Sequence, residues 1–212
     1  MPNKVLPPSG PGRPKDLAKR QAILEAAKTL FLGNGYDGSS MDAIAAEAGV
    51  SKLTVYSHFT DKETLFAAAV QSKCQEQLPE LLFELSDDAP IEQVLLSIGR
   101  GFHVLINSCE SVALHRLMVS LAAQDSKLSK MFYEAGPQRV LHGMADLLRQ
   151  ADQAGKLRIA DPVSAADQFF CLIKGGANFR LLIGCGEAQQ GEAAEQHVRD
   201  AVGVFLRAYR AE

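Results

Sequence analysis

The stretch Ser40–Lys62, SMDAIAAEAGVSKLTVYSHFTDK, decides the fold of this chain. It predicts two short helices joined by a tight turn at Gly49, because glycine adopts the left-handed conformation that ends a helix without steric penalty. Ser51 follows the turn and is expected to N-cap the second helix by accepting a backbone N–H bond. Val55 and Phe59 are four residues apart, so they share one face of that helix and are predicted to point inward.

The outer face of the second predicted helix carries polar side chains. They combine a cation, a hydroxyl, a phenol and an imidazole, at Lys52, Thr54, Tyr56 and His58. A short helix with such a face, supported by a helix of small residues through a glycine turn, is typical of a helix-turn-helix that reads DNA. The same helix–glycine–helix pattern also forms ordinary corners in all-helical proteins, so the pattern alone leaves both interpretations open.

The residues that follow favour the DNA-binding interpretation. Thr60 and Glu63 predict a capping box, so that a further helix begins directly after the reading helix. Lys62 lies in the first turn of that helix, where a helix N-terminus and a lysine together bind phosphate well. We therefore expect DNA to contact this corner of the molecule.

The predicted DNA contacts divide into backbone contacts and base contacts. His58 and Tyr56 are expected to contact the sugar–phosphate backbone, which makes affinity sensitive to salt. Thr54, Leu53 and Lys52 are expected to discriminate bases. For these side chains the plain alternative is a structural role, such as a surface lysine, a half-buried tyrosine or a histidine packed within its own domain.

Positive charge is concentrated near the start of the chain. The whole chain of 212 residues has a net charge of −3, but residues 1–29 hold six basic residues against Asp16 and Glu25. Residues 1–15 are rich in proline and glycine and are predicted to form a flexible basic arm. Such an arm can place an arginine in the narrow minor groove, and we expect Arg13 to do so.

The segment from Arg20 to Val70 resembles the DNA-binding domain of the TetR/AcrR family of one-component bacterial regulators. The matching stretches are AILEAAKTLFLGNGY (Ala22–Tyr36), SSMDAIAAEAGVSKLTVYSHF (Ser39–Phe59) and DKETLF (Asp61–Phe66). The resemblance implies that Ser40, the predicted N-cap of the first of the two helices, also touches a phosphate. Leu53 departs from the family, which very often has glycine or another small residue there. Its larger side chain either contacts a thymine methyl group or shifts the helix in the groove.

The whole chain is predicted to be all-α, with about nine or ten helices and no strand. We expect a three-helix, helix-turn-helix DNA-binding domain at residues 16–62 and a larger helical ligand-binding and dimerisation domain at residues 63–212. The helix that starts at Thr60 should be kinked or ended by Pro79, because proline lacks the N–H and clashes with the preceding turn.

Two further helices are predicted in the middle of the chain. The stretch Asp87–Asn107 should begin with Asp87 or Asp88 as its cap and Pro90 in its first turn. The stretch Val112–Ala123 is apolar nearly all round, which predicts a central, buried helix.

Three later stretches are similar to the AefR-type subgroup of TetR regulators. They are FYEAGP (Phe132–Pro137), GKL (Gly155–Leu157) and the pair Asp161-Pro162. This similarity implies a regulator and does not imply a particular ligand.

The composition restricts the chemistry of the protein. An apolar fraction of 47% with 22% charged residues is ordinary for a globular protein. The four cysteines form no C-x-x-C pair, so we expect no metal site and no disulfide framework, as suits a reducing cytosol. No signal pattern or membrane span is predicted, and we expect a cytoplasmic protein. No catalytic constellation or phosphate-binding glycine loop is recognisable, so an enzyme is not expected and no cofactor is predicted.

A ligand site is predicted among polar residues on otherwise apolar helices. The candidates are Phe102, His103, His115 and Asn178. Together they can orient a small molecule in an apolar pocket. Taken one at a time, each polar side chain has a plainer interpretation as a hydrogen-bonded group in the core or at its edge.

A dimer interface is predicted on the last two helices, where small residues recur at packing positions. Similarity to the family implies that these helices meet their copies in a four-helix interface, with Gly176, Phe179, Ala201 and Phe205 as candidates. One short reading helix covers few base pairs, so specificity calls for two copies about one helical turn apart, ~34 Å, on a palindrome.

These features predict a dimeric repressor that binds a palindromic double-stranded DNA operator and is released by a small apolar effector. Release requires that the effector bind more tightly to the conformation that does not fit DNA. The alternative is a DNA-binding structural or partner-regulated protein with a solid C-terminal core and no effector. Stabilisation by a ligand distinguishes the two.

Overall fold

The structure is a computed structural model that describes residues 16–79, 83, 85, 90–122 and 126–211. Within them the chain forms ten α-helices, which confirms the predicted all-α fold. The helices are α1 Leu17–Asn34, α2 Met41–Glu47, α3 Lys52–His58, α4 Lys62–Gln77, α5 Ile91–Asn107, α6 Cys109–Leu121, α7 Ser126–Ala135, α8 Pro137–Gln153, α9 Pro162–Leu182 and α10 Gly191–Tyr209. The predicted basic arm with Arg13, and the candidate caps Asp87 and Asp88, lie outside the described residues.

Local capping signals set the ends of α2 and α3. The Ser40 hydroxyl accepts the backbone N–H of Ala43 at 3.1 Å, and the Ser51 hydroxyl accepts that of Thr54 at 3.1 Å. Gly49 takes φ +65° in the turn between the two helices, the left-handed region in which a Cβ is disfavoured. The predicted helix-turn-helix is therefore confirmed in its caps and its turn.

The start of α4 differs from the prediction. Its N-cap is Asp61, whose carboxylate accepts the backbone N–H of Thr64 at 2.7 Å, and not Thr60. This bond lowers the pKa of Asp61, and a carboxylate is favoured there because the N-terminus of a helix is electropositive. The helix ends at Gln77, directly before Leu78 and Pro79, so Pro79 ends the helix as predicted.

Two apolar cores divide the molecule, and α4 contributes to both. The N-terminal core joins α1, α2, α3 and the first half of α4 with Met118 of α6 and Leu128 of α7. Its α4 residues run from Leu65 to Val70. The second core lies among α5, α8, α9 and α10, and Leu78 beyond the end of α4 packs into it. A displacement along α4 therefore acts on both cores.

Helices α5 and α6 correct two predictions. Pro90 is the N-cap of α5 and does not lie in its first turn. Helix α6 is amphipathic, with Val112 and Met118 buried but Val119 77% exposed, so it is not a central buried helix. Apolar residues of α6 such as Val119 reach solvent because the helix packs at the edge of the N-terminal core, to which it contributes Met118. Its Arg116 donates to the carbonyls of Leu181 and Leu182, the free end of α9.

Helix α9 is broken at Gly175, which the sequence pattern does not predict. The residue has φ +55°, and His197 of α10 lies where a side chain would stand, with its Cε1 2.8 Å from an ideal Cβ. The break frees the carbonyl of Ile173, which is 2.8 Å from Nε2 of the same His197. The imidazole thus provides the hydrogen-bond partner of the Ile173 carbonyl, which in a continuous helix would accept from a backbone N–H one turn later.

Helices α5 and α10 are also joined by an ion pair at the surface. Arg100 donates two hydrogen bonds to Glu195, at 2.8 and 2.6 Å. These bonds lower the pKa of Glu195 to about 2. The stabilisation from this carboxylate is therefore present above the ordinary glutamate pKa and is lost as the pH falls through about 2.

No helix in the described part of the chain combines the length and apolarity that a membrane crossing requires.

The contact at Gly99 of α5 is testable. An added Cβ would lie 2.9 Å from Val198 Cγ1 and 3.1 Å from Ile173 Cδ1, both buried. We expect Gly99→Ala to lower the free energy of unfolding by about 1 to 2 kcal/mol, even though alanine is the better helix former by roughly 1 kcal/mol. The measurement is urea denaturation. The matched control is Gly203→Ala in α10, where only the tip of Arg207 is near at 3.5 Å, and it should be neutral or stabilising. Equal effects of the two substitutions would contradict the close approach.

Candidate DNA-binding surface and ligand cavity

Helix α3 presents one buried face and one exposed face. Val55 is fully buried and Phe59 is 2% exposed, as predicted. On the other face Leu53 is 82% exposed and Tyr56 is 43% exposed. Two large apolar side chains in water are unusual on a helix of seven residues, and both point away from the core that holds the helix. Leu53 and Tyr56 are therefore accessible for contact with another molecule.

Lys52 and Thr54 are tied to neighbouring residues on the same surface. The Lys52 ammonium lies 2.8 Å from the Asp42 carboxylate of α2, and this pair raises the pKa of Lys52. The Thr54 hydroxyl is 2.9 Å from that of Ser51. Both side chains of the ion pair are more than half exposed, so the pair is weak and a phosphate or base can compete for the lysine.

Lys62 is placed differently from the prediction. Its ammonium donates to the carbonyl of Tyr36 at 2.9 Å and to that of Ser39 at 3.2 Å, and it lies 4.1 Å from the centre of the Tyr36 ring. The side chain is therefore turned inward to the connection between α1 and α2 and is not directed at a phosphate. The reason is that two backbone carbonyls in this connection lack helix partners and accept from the nearest cation.

His58 and Ser40 complete the predicted set. His58 ends α3 and is half-buried, with its ring 6.4 Å from that of Phe59. Ser40 is exposed at the start of α2, and its hydroxyl is the N-cap. Arg20 of α1 was not predicted as part of this region, yet its guanidinium lies 5.2 Å from the centre of the Phe59 ring. It braces α1 against α3.

A cavity of about 180 Å³ lies within the C-terminal helices and against α4. The predicted residues Phe102 and His115 line it. It is also lined by Val70, Lys73, Cys74, Leu105, Ile106, Ser111, Leu114, Phe132, Tyr133, Pro137, Val140, Leu141, Asp167, Phe170 and Lys174. The lining is mostly apolar and aromatic with a few polar groups, which is the usual character of a small-molecule site.

The other two predicted ligand residues do not line this cavity. His103 is 6% exposed and its ring packs 5.9 Å from that of His197, so that burial, with the neighbouring His197, lowers its pKa. Asn178 donates to the carbonyl of Ile106 at 3.3 Å and to the side chain of Asn107 at 3.1 Å. Both residues pack between α5 and the last two helices, His103 against the His197 ring and Asn178 through its hydrogen bonds to α5.

His115 has a defined orientation at the cavity. Its Nδ1 lies 2.7 Å from the carbonyl oxygen of Ser111, one turn earlier on α6. Its ring meets the Phe132 ring edge-on, with the centroids 5.5 Å apart. Burial is the main cause that lowers the pKa of His115, and the charge of Lys174 lowers it further, while the bond to Ser111 opposes the shift. The imidazole is therefore neutral near neutral pH.

Several cavity residues were not predicted as ligand residues. Cys74 of α4 lines the cavity, and burial raises the pKa of its thiol to about 11, so it is a neutral group. Asp167 and Lys174 lie two turns apart on α9, are exposed and stand at the mouth of the cavity. Their spacing puts them on one face of an otherwise apolar helix, which was the signal available in the sequence.

A second cavity of about 190 Å³ lies between α1, α4 and α6. Phe31 and Phe66 form part of its wall, and charged residues surround it. Lys28 bridges Glu25 and Glu76 there, at 2.8 and 2.6 Å. Because its charged groups are already paired across the helices, this cavity offers fewer free polar groups to a ligand than the one at His115.

The predicted dimer residues fall into two groups. Phe179 is 63% exposed and Gly176 is also exposed, so both remain available to a partner. Ala201 is 6% exposed and Phe205 is 1% exposed, and both pack in the C-terminal core of their own chain. The prediction is wrong for these two, because the apolar stripe of α10 faces α5 and α9 and leaves Val204, 43% exposed, on the outer side.

Family models identify both parts of the chain. Residues 23–69 match the model of bacterial regulatory proteins of the tetR family, and residues 93–211 match the C-terminal domain of AefR-like transcriptional repressors. The family that these models describe is one of helix-turn-helix transcriptional regulators and not of enzymes. The chain belongs to the TetR family, with a C-terminal domain of the AefR-like type.

Individual relatives agree over nearly the whole length. A TetR-family transcriptional regulator from Mesorhizobium loti is 31% identical, covers 93% of this chain over 99% of its own, and superposes with a TM-score of 0.73. The flavonoid-responsive regulator FrrA is 32% identical, with 92% and 98% coverage and a TM-score of 0.70. The HTH-type transcriptional regulator YdeS of Bacillus subtilis is 28% identical over 90% of this chain and 89% of its own.

The structural role of Lys62 gives a testable prediction. Lys62→Met keeps the aliphatic stem but removes the ammonium donor to the carbonyl of Ser39 and one of the two donors to the carbonyl of Tyr36, which still accepts from the Ser39 N–H at 3.2 Å. We expect the free energy of unfolding to fall by about 1 to 3 kcal/mol, measured by chemical denaturation. The matched control, Lys52→Met, removes only an exposed ion pair and should change stability by no more than about 1 kcal/mol. A Lys62→Met protein as stable as the control would show that the two bonds contribute little.

Proposed function

We propose that the protein is a cytoplasmic, ligand-responsive repressor that binds a palindromic operator as a homodimer and leaves it when a small, largely apolar molecule binds. The observation that carries this proposal is the position of α4. The helix begins beside the reading helix, and farther along it supplies Val70, Lys73 and Cys74 to the wall of the His115 cavity.

The route from cavity to DNA runs through packed elements. A ligand in the cavity presses against the middle of α4, whose N-terminal half lies in the N-terminal core. Lys62 attaches the start of α4 to the connection between α1 and α2, so that a shift of α4 displaces the whole reading unit. The ligand changes DNA binding only by its difference in affinity for the two positions of α4.

The reading surface suits a duplex. Leu53 and Tyr56 supply exposed apolar area, Lys52 supplies a cation held only by an exposed ion pair, and Ser40 supplies a hydroxyl at a helix start. We propose that Leu53, Thr54 and Lys52 contact base edges, and that Tyr56, His58 and Ser40 contact the sugar–phosphate backbone. Lys62 stabilises this surface indirectly, through its bonds to the carbonyls of Tyr36 and Ser39.

Dimerisation is proposed through the outer sides of α9 and α10. Phe179, Ile183 and Val204 are large apolar residues that are 63%, 59% and 43% exposed. Exposed apolar residues gathered on one part of a protein mark an interaction surface. A two-fold dimer places two reading helices on successive turns of one DNA face, which a palindromic operator requires.

The relatives support the repressor and the effector. The matched C-terminal domain is that of AefR-like transcriptional repressors, and FrrA is described as flavonoid-responsive. The alternative, a partner-regulated protein with a solid C-terminal core, receives less support because of the cavity at His115.

Operator binding and dimerisation can be tested together. The wild-type chain should enrich a two-fold symmetric site from random DNA, with affinity falling steeply as salt rises. Phe179→Arg should raise the dimer dissociation constant roughly thirtyfold or more, the effect of losing about 2 kcal/mol at an apolar interface, and weaken operator binding in parallel. The readouts are sedimentation and fluorescence anisotropy. Val163→Arg, at the opposite end of α9, is the control and should change neither. If the Phe179→Arg protein bound the symmetric site as tightly as the wild-type protein, the proposed interface would be contradicted.

The effector site can be tested by filling the cavity. Leu141 is a partly buried residue of its wall, and Leu141→Trp leaves less room for a ligand. For compounds that release the wild-type protein from its operator, we expect the variant to lose both release and thermal stabilisation, a loss of about 2.7 kcal/mol at a ligand concentration of 100 times Kd. Leu206→Trp, at a partly buried leucine of α10 that does not line the cavity, should keep both responses. Unchanged release of Leu141→Trp would place the effector elsewhere.

A further inference from the structure

We infer that the cavity at His115 selects a phenol: a single-ring aromatic molecule whose hydroxyl donates a hydrogen bond to Nε2 of His115. This inference rests on the proposed function, in which the same cavity is the effector site. It goes further by naming the chemical class of the effector and the atom that recognises it.

The first step is the tautomer of His115. Its Nδ1 lies 2.7 Å from the backbone oxygen of Ser111, and a carbonyl oxygen only accepts hydrogen bonds. Nδ1 therefore carries the proton. Burial and the nearby Lys174 lower the pKa of the imidazole, so a second proton is absent near neutral pH. Nε2 is left with a lone pair and acts as an acceptor only.

The second step concerns the partner of that lone pair. His115 lines the cavity, and within the described residues Nε2 has no hydrogen-bond partner in the protein. The ring cannot turn to satisfy it, because Ser111 holds one edge and Phe132 packs against the imidazole at a centroid distance of 5.5 Å. An acceptor held in a fixed orientation is complemented by a ligand that brings a hydrogen-bond donor.

The third step is the shape of the space. Phe102 and Phe170, with centroids 4.4 Å apart, and Phe132 supply aromatic walls. The cavity of about 180 Å³ is a little larger than the ~150 Å³ cavity that holds benzene in an engineered protein. One substituted aromatic ring fits this volume and stacks against the phenylalanine rings.

The acceptor at Nε2 favours a phenol over a carboxylate. A carboxylate has no proton to donate, so it would set its oxygens against the Nε2 lone pair. A phenol donates its proton to Nε2. The Lys174 ammonium is close enough to affect the pKa of His115, so it favours the negative charge that gathers on the phenol oxygen as it donates. The cavity lining carries charges of both signs, with Asp167 beside Lys73 and Lys174.

The experiment compares three probes that share one alkyl-substituted ring: para-propylphenol, its methyl ether para-propylanisole, and para-propylbenzoate. Binding to the full-length protein is measured by calorimetry, and release is measured with the enriched operator. We expect the wild-type protein to bind the phenol about tenfold more tightly than the ether, the usual worth of one hydrogen bond, and the benzoate no better than the ether.

Variants of His115 assign the preference to this residue. His115→Phe keeps a ring in place and should bind the phenol and the ether equally. His115→Gln keeps a neutral side-chain acceptor and should restore part of the preference. The matched control is His142→Phe, an exposed histidine of α8 outside the cavity wall, which should keep the full preference. Because His115→Phe can weaken folding, its thermal midpoint is measured beside that of His115→Gln, which gives a second test.

The outcomes separate the two proposals. Binding of both phenol and ether with equal affinity by the wild-type protein, or a phenol preference that survives in both His115 variants, overturns the phenol inference and leaves the effector site standing. Tighter binding of the benzoate overturns it as well. Absence of binding by all three probes, with no release from the operator, overturns the inference; if a wider compound screen then finds no effector, the proposed function itself fails.

Discussion

The attachment of the Lys62 ammonium to the carbonyls of Tyr36 and Ser39 is the contact on which the DNA-binding half depends. These bonds join the first turn of α4 to the connection that precedes α2, at 2.9 and 3.2 Å. Ser39 is itself buried, and its hydroxyl donates its one proton between the carbonyls of Gly35 at 2.7 Å and Leu30 at 3.0 Å. The reading unit is thus attached to α4 through bonds from the Lys62 side chain to two backbone carbonyls. Because of this, α2 and α3 follow the position of α4.

The two cores explain why α4 can serve as the moving part. Residues such as Phe66 and Leu148 are almost fully buried, one in each core, and close-packed interiors resist compression. A small ligand therefore has little chance of deforming either core. The cavity at His115 lies instead where α4, α6 and α7 meet the C-terminal core, and a rigid displacement between the two cores is the softer response. Our proposal of release through α4 follows from this difference in stiffness.

Local features of the fold were predictable from sequence, and contacts between distant residues were not. The caps Ser40 and Ser51 and the turn at Gly49 depend on neighbours within a few residues, so their signals are in the local pattern. Lys62 was assigned to phosphate because its partners lie 26 and 23 residues earlier in the chain. The break at Gly175 escaped prediction for the same reason, since it is stabilised by His197 of another helix.

The candidate ligand residues show that a polar residue on an apolar helix does not by itself predict a ligand contact. His103, His115 and Asn178 give the same sequence signal, yet His103 and Asn178 are enclosed by residues of other helices. Of the three, His115 lines the cavity, and the bond of its Nδ1 runs back to Ser111 within its own helix. A polar side chain that is satisfied by another helix stabilises the packing, whereas one satisfied by its own helix can still recognise a ligand. That distinction needs the tertiary structure, and it is what makes His115 the residue on which effector specificity is proposed to depend.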